Sequence, residues 1–261
     1  MKLGGVRFSI VSDAAWAPGL DTAAAWLAWA IDPYVIAGSG EAAVSGMPAM
    51  LRRRAGAMGK MALETAYRCL DGKTDVPTVF CSRHGECKRS VELLTDLAQG
   101  QPLSPTSFSL SVHNAAAGLF SIARQDQASH AAVAAGHGGV EHAVIEACGL
   151  LADGAAEVLL VVYDGFLPEI FDEYQDCTEQ PFAWAWLMQS AQEADSESPG
   201  DRGTFSLSWS RQQGNEMDAK EQGTGSGRQP AGLEVLAFYL RQDTELIRTV
   251  DGRRWRWGRL A

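Results

Sequence analysis

The sequence predicts an α/β fold, a layered sheet with flanking helices, and three observations predict it. Val158 to Tyr163 is a continuous apolar run, the character of a strand buried on both faces. The stretch from Gln127 to Gly165 reads strand, turn, helix, second strand, and its turn is Gly136-His137-Gly138-Gly139. Strand-like and helix-like segments alternate over most of the rest of the chain.

Each element has its own signal. Val6 to Ser12 alternates as an opening strand, and Pro18-Gly19 makes a turn of Trp16 to Leu20. Asp21 is placed to cap a short helix through Ala30 that carries Trp26 and Trp29. Residues 32–48 are rich in Gly, Ser and Pro and read as irregular. Met50 to Leu70 reads as one long helix with Leu51, Met58, Ala62, Ala66 and Cys69 near one face, ended by Asp71-Gly72. Pro77 to Cys81 is a short buried strand, and Ser90 is placed to cap a helix to Ala98 that Gly100 stops. Leu103-Ser104-Pro105 reads as a turn and Phe108 to Ala123 as a helix of small residues. Phe182 to Met188 and Thr204 to Trp209 read as strands, and Glu234 to Arg241 as a short helix. Ile247 to Val250, Asp251-Gly252 and Arg254 to Trp257 form a hairpin on an Asp-Gly turn. Residues 189–203 and 211–231 are polar and Gly-rich and have little to bury. The domain expectation is therefore a body over 1–210, a flexible linker over 211–231, and a terminal helix and hairpin over 232–261 that pack on the same body.

Composition narrows the function. The chain has 261 residues, 46% of them hydrophobic, enough for a sizeable core. A net charge of -10 argues against nucleic acid, although Arg52-Arg53-Arg54 and the residues from Arg253 to Arg259 are locally basic and suit an acidic partner. No run reaches the ~20 apolar residues of a membrane helix. The first residues lack the apolar core of a signal peptide, and the five cysteines have no framework spacing. A cytoplasmic protein with reduced thiols is expected, with no cofactor.

The candidate chemistry is sparse. Cys81-Ser-Arg-His84-Gly-Glu-Cys87 offers three soft ligands and no Cys-x2-Cys pair to complete a zinc site, so no metal is assigned. Ser and His are present, but no Gly-x-Ser-x-Gly elbow is. On local sequence Gly136 is an ordinary turn glycine, and His137 an exposed residue at a helix start. Met50, Met58 and Met61 at helical spacing read as core. Trp255 and Trp257 fall on one strand face, with Arg254 and Arg256 on the other.

Five stretches together resemble a known family. They are Trp16-Ala-Pro-Gly-Leu20; Leu51-Arg-Arg-Arg54 with Met61-Ala-Leu63; Ser82-Arg-His-Gly-Glu86; Leu103 to Gly118; and Arg254-Trp-Arg-Trp257. Their order is similar to the N-terminal half of β-ketoacyl synthases, which have the thiolase fold. The match is to the short synthase-like chain length factors of aryl polyene pathways. In ketosynthases the turn after such a strand presents a nucleophilic cysteine. Aligning it on Ala134 to Gly139 implies a lost nucleophile at Ala135 or Gly136. The family's two catalytic histidines belong to the C-terminal half of the fold, and this chain has no histidine after His142.

The resemblance implies a catalytically silent subunit that pairs with an active β-ketoacyl synthase and shapes an acyl or polyene tunnel. It implies tunnel lining by Phe108, Ser111, His113, Asn114, Ala116, Ala117, Gly118 and His137. It implies a dimer interface at Ser129, His130, Ala132 and Ala134, with an acyl carrier protein reached through the partner. An enzyme using Cys81 or a Ser, as a small acyltransferase or thioesterase, is the alternative, and a self-associating structural protein a third.

Overall fold

The computed structural model describes residues 4–191, 202–211 and 228–260. Eight strands form one sheet in the order β3-β2-β4-β5-β1-β6-β8-β7. They are β1 (Gly4–Trp16), β2 (Thr78–Cys81), β3 (His130–Val133), β4 (Val158–Asp164), β5 (Phe182–Ser190), β6 (Thr204–Arg211), β7 (Glu245–Val250) and β8 (Arg253–Leu260). β2 runs parallel to β3 and β4, and the remaining neighbours are antiparallel. The helices are α1 (Ala23–Ile31), α2 (Ala49–Arg52), α3 (Ala57–Leu70), α4 (Cys87–Ala98), α5 (Pro105–Ser109), α6 (Ala115–Arg124), α7 (Gly139–Ala152) and α8 (Ala231–Leu240). The thiolase-like α/β expectation holds.

The two-residue period of a strand explains the layering. On β4, Leu160 and Val162 join a core with α1, α7 and α8, while Leu159, Val161 and Tyr163 join a second core with α3 and α6. β5 alternates by size as well. Phe182, Trp184, Trp186 and Met188 face the first core, and Ala183, Ala185 and Leu187 face the second. The alanines leave room for α3, which crosses that face with Gly59, Ala62 and Ala66 buried. Each large side chain so buried contributes about 1.5–3 kcal/mol.

The terminal hairpin wraps the same core. β8 pairs with β6 and β7, and Trp255 and Trp257 are buried against α7. Arg254 and Arg256 stay exposed, as the alternation predicts. Asp251 and Gly252 both take positive φ, 50° and 68°, as a two-residue hairpin turn requires.

Six local readings change. α1 is capped by Thr22, whose hydroxyl accepts from the Ala25 N–H at 3.2 Å, not by Asp21. The helix read from Met50 to Leu70 breaks at Arg53 to Gly56 into α2 and α3, and Met50 is exposed while Met61 is core. α4 begins at Cys87 rather than at a Ser90 cap, and the Ser90 hydroxyl instead donates to the Ser111 carbonyl. Ser104 and Pro105 are the cap and first residue of α5 rather than a simple turn. The helix read over Phe108 to Ala123 is two helices, α5 and α6, separated by Leu110 to Asn114. Gln189 and Ser190 extend β5. Most of the insertion and linker read over 189–203 and 211–231 lies outside the described residues.

Candidate functional site

β3 is the edge strand of the sheet, paired only with β2. Ser129, His130, Ala132 and Ala134 are all exposed along it. α6 packs beside it and exposes Ile122; α5 and the loop that follows expose Phe108 and Val112, and α4, which packs on α5, exposes Leu94 and Leu97.

The elbow follows directly. Gly136 has φ +53°, a conformation that glycine adopts without strain, and a Cβ there would meet nothing within 4 Å. A single 3₁₀ turn, Gly136–Gly138, leads into α7. At Gly139 a Cβ would stand 3.4 Å from the Cys81 sulfur, so β2 packs directly beneath the helix start. Behind the elbow, Arg248 of β7 pairs with Glu141 and with Glu234, and donates to the His137 carbonyl at 3.2 Å. The Glu141 carboxylate also accepts from the Trp257 indole N–H at 3.3 Å. The hairpin therefore fixes the backbone at the start of α7.

A second buried cation fixes the front. The Arg83 side chain, 7% exposed, meets Asp164 at 3.2 Å, Glu179 at 2.7 Å and Asp176. Asp164 also accepts from the Ser82 hydroxyl at 3.0 Å and from the Arg83 backbone N–H at 2.9 Å. Burial acts to lower the Arg83 pKa, but Asp164 and Glu179 outweigh it and hold the guanidinium charged. Burial raises the Glu179 pKa, and Arg83 opposes the rise. Asp176, Cys177 and Glu179 place ligand atoms within 4.8 Å of one another, a cation-sized cluster, and the guanidinium supplies the positive charge.

This cluster gathers residues read separately from the sequence. Asp176 reaches back to the elbow, with its carboxylate 3.2 Å from His137 Nδ1. His113 Nε2 lies 3.0 Å from the Ser82 carbonyl, and a Cβ on Gly85, at φ +57°, would come 2.7 Å from the His113 ring. His113 thus packs on the Ser82 to Gly85 turn that carries Arg83, and His137 meets Asp176 of the same ionic knot. Of the other candidates, Phe108 and Asn114 are exposed and Ser111 is half-buried. Ala116 and Ala117 are 2% and 1% exposed and pack within the second core. Gly118 is open, with nothing within 4 Å of a Cβ.

Sequence reading missed the knot itself. Arg83 lies in the Ser82 to Glu86 stretch, but its partners follow 81 to 96 residues later. The one local signal was an acid, Asp164, ending an otherwise apolar buried strand.

Cys81 does not suit a nucleophile. It is 3% exposed, and burial, then Asp164 and Glu141, push its thiol pKa far up. All five cysteines are free. No helix among the described residues is long and apolar enough to cross a membrane.

Comparison with known proteins agrees with this architecture. The family described as beta-ketoacyl synthase, N-terminal domain, matches residues 26–258. Among solved structures, the ketosynthase ApeO in complex with its chain length factor ApeC, from Xenorhabdus doucetiae, contains a similar chain. It is 25% identical, with 97% of this chain and 100% of that chain covered and a TM-score of 0.77. A chain of the ishigamide ketosynthase/chain length factor is 12% identical, covering 97% and 98%, with a TM-score of 0.69. A chain of AntDE:AntF, a type II PKS acyl-carrier protein in complex with its ketosynthase bound to the hexaketide, is 10% identical. It covers 99% and 100%, with a TM-score of 0.66. The latter two likenesses are of fold. No curated protein matches. This chain belongs to the β-ketoacyl synthase N-terminal domain family.

Proposed function

We propose that this member of the family is the silent, chain-length-factor-like subunit of a ketosynthase heterodimer. One observation supports the reading: the elbow is braced from both sides, and its turn carries no cysteine, with Ala135 or Gly136 at the position that the family resemblance aligns with the nucleophile. An acyl group has no nucleophile to receive it there. The chain has no histidine beyond His142 to assist decarboxylation of an extender unit. The partner supplies both, and the carrier protein delivers through the partner.

The free edge of β3 supports the pairing. An exposed strand presents unpaired backbone groups, and this one carries alanines with no fixed charge between Ser129 and Ala135. Ile122, on the helix beside β3, and the exposed Phe108 and Val112 add apolar area of the kind that interface centres bury.

The tunnel wall is then the partner-facing side of Phe108 to Gly118 with the elbow near His137. A closed apolar tube sets length by excluded volume, because a packed wall does not yield cheaply. Gly118 is the residue to enlarge, since Ala116 fills this chain's own core and a ring there would cost about 1–3 kcal/mol in overpacking. In the reconstituted pair, Gly118→Leu should leave the complex intact and shift products to shorter chains by mass spectrometry. Unchanged product length with an intact complex would mean that α6 does not measure the product.

A further inference from the structure

We propose that α1 is a second interaction surface and that its partner is the α1 of another copy of this chain, packed antiparallel across a two-fold axis between Leu27 and Ala28. The helix has two unlike faces. Trp26, Trp29 and Ala30 are buried in the first core. Leu27 and Ile31, one turn apart on the other side, are exposed at 45% and 69%, and the exposed Tyr34 and Val35 extend the apolar patch past the helix end. The patch is held in place. The Trp29 indole N–H donates to the Tyr34 carbonyl at 2.9 Å, and the Gln180 side-chain carbonyl accepts from the Ile36 N–H at 2.8 Å. Grouped, fixed apolar residues on a surface mark an interaction site.

The order of the exposed residues selects the occupant. Ala23, Ala24, Leu27, Ala28, Ile31 and Asp32 are exposed. Reversing the helix about the point between Leu27 and Ala28 maps this set onto itself. Leu27 then falls opposite Ala28, Ile31 opposite Ala24, and Asp32 opposite Ala23. A two-fold contact demands this reciprocity. Both apolar pairings set a large side chain against a small one, so the two helices can interlock. The ends match as well. The first N–H groups of a helix have no intrahelical acceptor, and the Thr22 side chain takes only that of Ala25. Asp32 has no partner for its carboxylate among the described residues. The antiparallel arrangement brings each Asp32 to the N-terminus of the other helix, where negative charge is stabilised.

Other occupants fit less well. Ala23 to Ile31 holds no charged residue with which to select a charged partner. Asp21 and Asp32 flank the helix, and an anionic bilayer would repel them. The surface is also separate from β3. α1 packs on β1 and α8, and β1 lies four strand steps, roughly 19 Å, from β3. A subunit bound at β3 therefore leaves α1 free to join two such pairs.

The test uses the full chain carrying Ala132→Arg throughout, so that association at β3 is not what is read. By sedimentation velocity this chain should be dimeric at about 100 μM, the range of a small interface. Adding Ile31→Arg, at an exposed position where the fold tolerates it, should raise the dimer Kd at least about tenfold with an unchanged melting temperature. Cysteine cross-linking reads the geometry, with the Ala132→Arg chain as control for its own five thiols. Leu27→Cys, beside the axis, should form a disulfide-linked dimer under mild oxidation. Ile31→Cys should not, because antiparallel packing sets its two copies about 10 Å apart along the helix axis. A monomer at 100 μM overturns the proposal. So does an Ile31→Arg chain that associates as tightly, or cross-linking through Ile31→Cys as efficient as through Leu27→Cys.

Discussion

Arg83→Met should be the most destabilising single substitution in this chain. It removes the cation from a site that holds Asp164, Asp176 and Glu179, of which Asp164 and Glu179 are 7% and 4% exposed at the side chain. Stranding buried carboxylates costs about 3–5 kcal/mol, a large share of a total stability of about 5–15 kcal/mol. At roughly 2–4 °C per kcal/mol, the melting temperature should fall by roughly 6–20 °C.

The pH dependence identifies the cause. The Glu179 pKa is already raised by burial, and loss of Arg83 removes the opposing pull and raises it further. A carboxyl whose folded pKa exceeds its unfolded value binds more protons in the folded state, so it favours folding at low pH and loses that contribution as pH rises through the folded value. The deficit of Arg83→Met against the parent should therefore shrink between pH 7 and pH 5. Asp176→Asn, at a more exposed position, should cost less. A deficit under about 1 kcal/mol, flat with pH, would show that the knot is not held by this charge.

Ala132→Arg should have the largest effect on assembly. Ala132 is exposed on edge strand β3, so the isolated chain should keep its stability within about 0.5 kcal/mol. In the heterodimer the same charge would be buried without a partner, at about 2–5 kcal/mol, which is at least thirtyfold in Kd. Analytical ultracentrifugation or calorimetry with the synthase subunit reads this. Equal affinity for the parent and Ala132→Arg would place the interface elsewhere on the chain.

Much of the fold was legible because burial leaves a period. β4 and β5 alternate between two cores, and the Trp255 and Trp257 alternation with Asp251-Gly252 defines the hairpin. The elbow was legible from its glycines, since Gly136 adopts positive φ between strand and helix. The helix breaks were not. Apolar spacing carried the reading straight through Arg53 to Gly56 and through Leu110 to Asn114. The second break coincides with a tertiary contact, His113 seated against Ser82 and Gly85. Tertiary contacts of this kind override local propensity.

The site was half legible. Exposure of Ser129, His130, Ala132 and Ala134 follows from a small-residue strand at an edge, and the strand order places β3 there. The residues that the resemblance implies as tunnel lining are not equally accessible in this chain. Ala116 and Ala117 face inward, while Phe108, Asn114 and Gly118 remain accessible. The ionic knot was invisible because nothing local links Arg83 to Asp176 and Glu179. The sheet sets the end of β2 beside the end of β4 and so brings Arg83 to Asp164, and the segment after β4 carries Asp176 and Glu179 back to the same guanidinium.

The central claim is a silent subunit paired with an active one, and native mass spectrometry tests it most directly. This chain is co-expressed with a ketosynthase, purified, and loaded from an acyl carrier protein thioester. The predicted result is a one-to-one complex in which the acyl adduct sits only on the partner. An adduct on this chain, or turnover by this chain alone, would contradict the account.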